Sequence, residues 1–284
     1  NPFHYPVLGE DGVTVESDIS DTVISNFRKL GLDALIVIGG DGTLGIAEQF
    51  YEKGIPLVGV PKTIDNDLGG TAITFGFDTA VNTAREALDK LHTTAESHRR
   101  VLVVEVMGRH AGWIALQSGI AGGADIILIP EIPYDPAKVV EAIMLRERLG
   151  KHFSIVVVAE GAFEQDGRLT YAEAKHAGRE QRLGGVGERV AAAITKLSGK
   201  ETRVVVLGHL QRGGTPTTFD RALCSMFGAT AIELIAVGDF GKMVAFTPAG
   251  MVGIPISEAV GKLKTVPPSG NLARTARALG ISLG

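Results

Sequence analysis

Two short loops in this chain carry the acidic and basic side chains that phosphoryl transfer needs. The first has the sequence GGDGT (Gly39–Thr43), and the second has the sequence PKTIDND (Pro61–Asp67). Each loop directly follows an apolar run typical of a buried strand, so we expect both at neighbouring strand ends of an open α/β sheet. Metal-assisted phosphoryl transfer uses carboxylates, a cation and a flexible turn in one place. The charged members here are Asp41, Lys62, Asp65 and Asp67.

The first loop has the composition of a phosphate-binding turn. Its three glycines let the backbone approach a phosphate chain, and the predicted helix Leu44–Lys53 begins with its amide groups directed at the turn. Asp41 is poorly placed to bind phosphate directly but can reach it through Mg²⁺. The alternative is that Asp41 and Thr43 only cap the following helix.

The second loop places acids at alternate positions. If the segment is extended, Thr63, Asp65 and Asp67 point to one side, with Asn66 turned away. One carboxylate can then take the proton of an attacking hydroxyl, while another holds a metal or tunes the first. Lys62 can neutralise the transferring phosphoryl group. The alternative is an Asx-rich surface turn without chemistry.

Composition and charge exclude several classes of protein. With 45% hydrophobic and 21% charged residues the chain is an ordinary globular sequence, and its net charge of −4 supplies no basic field for nucleic acid. No apolar run approaches the roughly 18–20 residues of a membrane helix. The single cysteine, Cys224, and the lack of a Cys/His cluster predict a reducing compartment, most simply the cytoplasm.

Strand and helix patterns alternate along the chain. The predicted strands, mostly unbroken Val/Ile/Leu runs, are Ala34–Ile38, Leu57–Val60, Val101–Val106, Asp125–Ile129, Ser154–Ala159 and Arg203–Leu207. The predicted helices are Leu44–Lys53, Asp78–Thr93, His110–Gly119, Pro136–Leu149, Gly187–Leu197 and Phe219–Val237. This rhythm predicts a doubly wound α/β architecture with ligands at the carboxyl ends of the strands. The polar segment Gln165–Gly185 is predicted to be a loop, and the tail Leu263–Gly284 a closing helix or an extended packing arm.

Three later motifs also place side chains at strand ends. They are MGRHAGW (Met107–Trp113), AEG (Ala159–Gly161) and GHLQRGG (Gly208–Gly214). Arginine suits phosphate because its planar fork donates two parallel hydrogen bonds. Glu160 follows a strand and is expected to contact a ligand, with capping as the alternative. His110 and Trp113 are expected in the core of the following helix.

The two loops and three motifs resemble those of bacterial-type 6-phosphofructokinases, in the same order and across nearly the whole chain. The resemblance implies two Rossmann-like three-layer α/β/α domains with largely parallel sheets and an active site in the cleft between them. It assigns residues 1–77 plus 211–240 to a nucleotide-binding domain and residues 78–210 plus 241–284 to a sugar-phosphate-binding domain. The implied reaction moves the γ-phosphoryl group of ATP to the 1-hydroxyl of fructose 6-phosphate in glycolysis.

The resemblance also implies roles for the loop residues. The nucleotide would be bound by Gly40, Asp41, Gly42 and Thr43. Asp41 would bind the Mg²⁺ that bridges the nucleotide phosphates. Asp65 would be the general base on the sugar 1-hydroxyl, and Asp67 would support the metal and the base.

A second implied set binds the sugar phosphate. Its first members are Thr63, Met107, Gly108 and Arg109, and Arg109 would also steady charge on the transferred group. Glu160 would accept hydrogen bonds from sugar hydroxyls. The 6-phosphate would be bound by His209, Arg212, Arg100 and Arg203, the last two from a neighbouring subunit. A shared site implies a homo-oligomer, with a tetramer favoured and a dimer possible, and the family is often allosteric.

Two positions bear on the choice of phosphoryl donor. Family members that use pyrophosphate carry an acid where Gly42 stands, and this acid occupies the space of the ATP α-phosphate. They also carry a lysine where Lys62 stands, whereas many ATP-using bacterial members have glycine there. An acid would repel the nucleotide, while a lysine is compatible with either donor, so ATP is the predicted donor and pyrophosphate the alternative.

Other readings remain open. The family normally begins with a strand and a glycine-rich phosphate-binding turn, so we expect that an N-terminal segment precedes this sequence. A different GGDGT kinase, of the NAD or diacylglycerol type, would use the same turn, although the later motifs argue against it. A catalytically inert regulatory subunit is the other class, against which Asp41, Asp65 and Arg109 argue.

Overall fold

The computed structural model describes residues 1–8, 12–165, 167 and 185–284. Within them the chain divides into two units, which we call unit 1 and unit 2. Unit 1 contains residues 1–62, 68–73 and 222–262, and unit 2 contains residues 63–67, 74–221 and 263–284. The PKTIDND loop therefore begins in unit 1 and continues in unit 2 after Lys62.

The strands and helices follow one another in an almost regular alternation. The strands are β1 (Tyr5–Leu8), β2 (Thr14–Ser17), β3 (Leu35–Gly39), β4 (Leu57–Pro61), β5 (Val101–Val106), β6 (Ile126–Leu128), β7 (Ser154–Ala159), β8 (Thr202–Val206), β9 (Lys242–Thr247) and β10 (Gly250–Pro255). The α-helices are α1 (Ser20–Lys29), α2 (Asp41–Glu52), α3 (Phe77–His98), α4 (Trp113–Ala121), α5 (Pro136–Arg148), α6 (Val186–Ser198), α7 (Thr218–Ala236), α8 (Ile256–Val260) and α9 (Asn271–Ala278). A 3₁₀ turn spans Gly208–Arg212.

Unit 1 is built on a mixed sheet with strand order β10-β9-β4-β3. Strands β3, β4 and β9 run parallel, and β10 returns antiparallel to β9. Helix α2 buries Leu44, Ala47 and Phe50, which recur every three residues and so lie on one face of the helix. This face packs into a core that includes Leu57 and Met243. The packing fixes the end of α2 that follows the GGDGT turn.

Unit 2 is built on a parallel sheet with strand order β6-β7-β5-β8. Every residue of β5 and β7 is buried, as expected for central strands covered on both faces. Apolar residues of α5 and α6 pack against this sheet, including Val139, Ile143, Val190 and Ile194. Because β7, β5 and β8 are adjacent and parallel, the segments that follow them emerge at one edge.

The predicted α/β fold class is confirmed, and each predicted strand and helix is present with bounds that differ by a few residues. Unbroken apolar runs identified the parallel strands. They did not identify the β9–β10 hairpin, the short β1–β2 pair or the helix α1. The tail contains the helix α9. Most of the predicted loop Gln165–Gly185 lies outside the described residues.

The division into units differs from the predicted domain ranges. Residues 241–262 were expected in the sugar-phosphate-binding domain, but β9 pairs with β4 and β10 with β9, which places this segment in unit 1. Residues 63–67, 74–77 and 211–221 were expected with the nucleotide-binding domain and belong to unit 2. Across the described residues, no helix combines the length and the apolar character needed to cross a membrane.

Candidate functional site

The GGDGT loop of unit 1 joins a strand end to a helix start. Strand β3 ends at Gly39 and α2 begins at Asp41, with Gly40 in an extended conformation as its N-cap. Because Gly40 has no side chain, it makes no side-chain capping bond to the first turn of the helix. Asp41 is half-buried, while Gly42 and Thr43 are exposed. The helix start can therefore present both amides and a carboxylate to a ligand.

Gly42 is not required by the fold. A Cβ added there would meet no heavy atom within 4 Å, and the backbone is not in the left-handed region. By contrast, a Cβ at Gly39 would overlap the side chain of Thr43, so packing explains that glycine. The open space at Gly42 is consistent with a ligand that lies against the loop.

Lys62 follows the neighbouring strand of the same sheet. Gly39 of β3 is paired in register with Pro61 of β4, and the amide of Lys62 donates to the carbonyl of Gly39 at 2.9 Å. The carboxyl ends of two adjacent parallel strands thus carry Asp41 and Lys62, one from each predicted loop. The side chain of Lys62 is exposed to solvent.

The donor set of this loop fits Mg²⁺ in the way that nucleotide-binding sites use it. Among the described residues, no group of three or more His, Cys, Asp or Glu side chains could hold a metal by itself. Mg²⁺ in phosphoryl-transfer sites is usually held by one or two carboxylates together with substrate phosphates and water. A half-buried Asp41 beside the open space at Gly42 meets that requirement.

The second loop is not extended, so the prediction that its acids alternate along one face is wrong. Thr63 forms a turn in which its hydroxyl oxygen accepts from the amide of Asp65 at 3.2 Å. The same hydroxyl lies 3.4 Å from a carboxylate oxygen of Asp65, to which it donates. Asn66 has a φ of 52°, in the left-handed region. These two turns, rather than strand alternation, orient Asp65.

Burial and three polar neighbours act on the pKa of Asp65 in opposite directions. Burial raises the pKa of its carboxyl group above the ordinary aspartate value. The charge of Arg212, the hydrogen bond from Thr63 and the charge of His110 act in the opposite direction. His110 is exposed and precedes α4, so the prediction that it is a core residue of that helix is wrong.

Glu160 lies close enough to Asp65 for their charges to interact. Burial is the largest cause that raises the pKa of Glu160, followed by the charges of Asp65 and Glu105. A backbone hydrogen bond from Gly108 and the charge of Arg212 lower it. The structure therefore brings two half-buried carboxyl groups and an exposed arginine, from three separate motifs, into one cluster in unit 2.

The strand ends of unit 2 are joined by short backbone bonds. Glu160 donates its amide to Val106 at 2.9 Å, and the amide of Gly161 donates to Gly108 at 3.2 Å. The amide of Met107 donates to Oε1 of Gln211 at 3.3 Å. The three motifs MGRHAGW, AEG and GHLQRGG are consequently held at the same edge of the sheet.

Two glycines permit this close approach. Gly108 has a φ of 135°, which is unfavourable for other residues, and a Cβ there would lie 2.8 Å from the carbonyl oxygen of Ala111. A Cβ at Gly161 would overlap the carbonyl of Arg109. Arg109 itself is half-buried directly after this turn, while His209 and Arg212 are exposed on the 3₁₀ turn.

Arg100 and Arg203 are found at the other end of the same strands. Arg100 immediately precedes β5 and Arg203 is the second residue of β8, and Glu201 pairs with both at 2.9 Å and 2.6 Å respectively. The six residues of β5 correspond to about 20 Å of strand between Arg100 and Met107. Within one chain these two arginines are therefore not part of the Asp65 cluster.

Several residues near the cluster were not predicted from the sequence. Gln211 is buried within GHLQRGG and holds Met107, and Glu105 is buried within β5, where its carboxylate accepts from Gly187 at 2.8 Å. Polar residues inside an apolar strand or a glycine-rich turn are a usable signal for both. Lys264 donates to Asn66 from 198 positions away, and no local pattern reveals that bond.

Unit 2 combines the half-buried carboxyl group of Asp65 with exposed cationic side chains, and unit 1 combines a glycine turn with the carboxylate of Asp41. These are residue types that α/β phosphotransferases use. The phosphofructokinase family profile matches residues 10–235. The chain therefore belongs to the phosphofructokinase family.

Individual relatives agree with this assignment. A Chloroflexus aurantiacus protein described as ATP-dependent 6-phosphofructokinase is 52% identical over 100% of this chain and 78% of its own length. A Streptomyces coelicolor protein described as pyrophosphate–fructose 6-phosphate 1-phosphotransferase is 56% identical over 93% of this chain and 75% of its own length. The solved phosphofructokinase structure from Saccharomyces cerevisiae is 32% identical, with a TM-score of 0.71, over 83% of this chain and 34% of that one.

The raised pKa of Asp65 leads to a prediction about pH. Only the ionised carboxylate can accept a proton, so activity should fall on the acid side as Asp65 becomes protonated. We expect the midpoint of this fall in kcat/KM to lie above about 3.9, the ordinary aspartate pKa, because burial raises the pKa of Asp65. A pH–rate profile with stability checked at each pH measures it, and a midpoint at or below the ordinary value would contradict the burial argument.

Proposed function

We propose that this chain transfers the γ-phosphoryl group of ATP to the 1-hydroxyl of fructose 6-phosphate, giving fructose 1,6-bisphosphate. The observation that carries the proposal is the cluster of Asp65, Glu160 and Arg212 in a chain of this family. It provides a proton acceptor, an acceptor for sugar hydroxyls and a cation for a phosphate. The relatives described as ATP-dependent 6-phosphofructokinases support this substrate pair.

The residues of unit 2 would do the acid–base and sugar-binding work. Asp65 takes the proton of the 1-hydroxyl while the oxygen of that hydroxyl bonds to the γ-phosphorus. The bond from the γ-phosphorus to the bridging oxygen breaks, which releases ADP. Arg109 steadies the charge on the transferred group. Glu160 accepts hydrogen bonds from the sugar. The remaining contacts to the sugar phosphate come from Thr63, Met107, Gly108, His209 and Arg212.

The residues of unit 1 would hold the phosphoryl donor. Gly40, Gly42 and Thr43 line the start of α2, whose amides favour phosphate. Asp41 would hold Mg²⁺, which when bound neutralises charge on the nucleotide phosphates. Lys62 supplies a further positive charge for the transferring group.

Pyrophosphate is the second candidate donor because two observations favour it. Lys62 is the residue expected in pyrophosphate-using members, and the 56% identical Streptomyces coelicolor relative is described as pyrophosphate-dependent. The discriminating experiment measures initial rates of fructose 1,6-bisphosphate formation with ATP and with pyrophosphate at matched Mg²⁺. Faster turnover with ATP supports the proposal, whereas turnover with pyrophosphate alone would replace ATP as the donor. No product with either donor would refute the proposed reaction.

We further propose a homo-oligomer in which Arg100 and Arg203 complete the site of a neighbouring subunit. Their position at the opposite strand ends from Asp65 supports a role outside their own cluster. The exposed Arg203 is available to another chain, since 62% of its side-chain surface is accessible. A tetramer is favoured over a dimer by the family resemblance alone.

A mixing experiment tests this sharing. Arg203→Ala should raise the KM for fructose 6-phosphate about tenfold, and Asp65→Ser should remove the base, so each homo-oligomer is defective. In a hybrid oligomer, some sites combine the intact Asp65 of an Arg203→Ala subunit with the intact Arg203 of a neighbouring Asp65→Ser subunit. These sites should recover the native KM. Hybrids isolated by two affinity tags supply the measurement. If verified hybrids did not recover the native KM for fructose 6-phosphate, the site would not be shared in this way.

A further inference from the structure

The loop that carries Asp65 is clamped from both sides by side chains of unit 2. The hydroxyl of Thr74 donates to the carbonyl of Thr63 at 2.8 Å, and the amide of Thr74 donates to Oδ1 of Asn66 at 3.1 Å. Asn66 is 4% exposed and has a φ of 52°. A buried asparagine in the left-handed region is costly unless its side chain is well paired. Asn66, directly after Asp65, is thus held in place through its side-chain amide group.

A lysine from the C-terminal tail provides the second bond to that amide. Nζ of Lys264 donates to Oδ1 of Asn66 at 2.8 Å, and the backbone amide of Lys264 donates to the carbonyl of Asp67 at 2.7 Å. The same residue therefore contacts the loop twice, through its side chain and through its main chain. Both contacts fall on the residues that immediately follow Asp65.

The tail segment 264–266 is in turn fixed to the MGRHAGW motif. Nε1 of Trp113 donates to the carbonyl of Lys264 at 2.8 Å, and Nζ of Lys264 lies 5.7 Å from the centre of the Trp113 ring. The carboxylate of Glu131 accepts from the amide of Val266 at 2.7 Å and from that of Gly112 at 3.0 Å. A continuous set of bonds thus connects the segment after Arg109 with the loop of Asp65.

Burial disfavours the charged form of the Lys264 side chain. It lowers the pKa of Lys264 to about 8, although the charge of Asp67 acts to raise it. An apolar residue of similar length would pack beside Trp113 without that cost. The bond to Asn66 and the charge of Asp67 offset part of this cost, whereas the main-chain bonds of residue 264 would remain with any side chain.

We propose that Lys264 is a positioning residue for the phosphoryl-transfer reaction, holding Asn66 in its left-handed conformation and thereby fixing the carboxylate of Asp65. The inference rests on the proposed function for its catalytic consequence. Lys264 contacts neither the reacting hydroxyl nor the donor in this role. It acts through Asn66, and its effect is expected in turnover rather than in sugar-phosphate affinity.

A double-mutant cycle tests the pathway through Asn66. Lys264→Met keeps the stem but removes the amine, and Asn66→Gly keeps the left-handed backbone but removes the amide. We expect each to lower kcat about 10- to 100-fold with the KM for fructose 6-phosphate changed less than about twofold. The double variant should be no worse than Asn66→Gly alone, because that substitution already removes the oxygen that accepts from Nζ of Lys264, together with the bond from Thr74. Additive losses would overturn the pathway, and so would an unchanged kcat in either variant.

The controls separate positioning from general stability and from the assigned reaction. Lys262→Met removes an exposed lysine two residues earlier and should leave kcat and KM unchanged. Amide hydrogen exchange of residues 63–76, measured without substrate, should rise about tenfold in Lys264→Met and not in Lys262→Met. If the wild-type chain phosphorylates no sugar, the proposed function alone fails. Hydrogen exchange then still tests whether Lys264 holds the loop through Asn66. Unchanged exchange in Lys264→Met would overturn the clamp itself.

Discussion

Replacing Asp65 by serine is expected to lower kcat about 10²- to 10⁴-fold while leaving the affinity for fructose 6-phosphate nearly unchanged. Serine cannot accept the proton of the 1-hydroxyl, so the attacking oxygen must form its bond without a base. Binding of the sugar phosphate would still be supported by Arg212 and Glu160, which belong to other motifs. Steady-state kinetics, with an independent measurement of sugar-phosphate binding, give the two quantities.

Asp65→Ser is also expected to increase the stability of the protein, although it lowers the activity. Because burial raises the folded-state pKa of Asp65 above its unfolded value, ionised Asp65 opposes folding once the pH exceeds the folded pKa. Below the unfolded pKa both states are protonated and this cost disappears. Asp65→Ser should therefore raise the melting temperature by a few degrees at neutral pH. The gain should shrink at acid pH.

A matched control is available on the surface of α3. Asp89 is exposed, with 52% of its side-chain surface accessible, whereas Asp65 is half-buried. Asp89 pairs with Arg85 within the same helix and belongs to no motif. Asp89→Ser should leave kcat unchanged and should not raise the melting temperature, since exposed helix pairs contribute little. If Asp65→Ser retained wild-type turnover while the control behaved as expected, another group would have to be the base.

Local sequence patterns were sufficient for the parts of the fold in which neighbours along the chain decide the structure. Five of the six residues in each of β5 and β7 are apolar and occupy both faces, and only a doubly covered parallel strand suits them. Strand ends in such sheets meet at one edge, so the convergence of Met107, Glu160 and Arg212 could be anticipated from their positions after strands. Glycine spacing indicated where the backbone turns.

The parts that could not be predicted depend on pairings between distant residues. Strand β9 joins unit 1 through a parallel pairing with β4 about 185 positions earlier, and its own pattern resembles any short strand. The shape of the second loop depends on Asn66 and on its bonds to Thr74 and Lys264. Because these bonds are made after the chain folds, an extended loop was the natural expectation and was wrong.

Gly42→Asp is expected to abolish the use of ATP, with a loss in kcat/KM for ATP of about 10³-fold or more. The new carboxylate would occupy the open space at Gly42 and place a negative charge beside the nucleotide phosphates. The fold should tolerate the change, because a side chain at this position meets no heavy atom within 4 Å. Acidic residues are also favourable in the first turn of a helix. Kinetics with ATP and with pyrophosphate measure the outcome.

Two further substitutions at Gly42 separate charge from size. Gly42→Ala adds only a Cβ, for which there is room, and should retain most of the activity with ATP. Gly42→Asn adds the shape of aspartate without its charge and should fall between the two. If Gly42→Asp kept its activity with ATP, the open space beside the loop would not hold the nucleotide, and Gly42 would lose its role in donor choice. If Gly42→Asp gained activity with pyrophosphate, the positive charge of Lys62 would be sufficient for this loop to bind the smaller donor. The charge at position 42 would then decide between ATP and pyrophosphate.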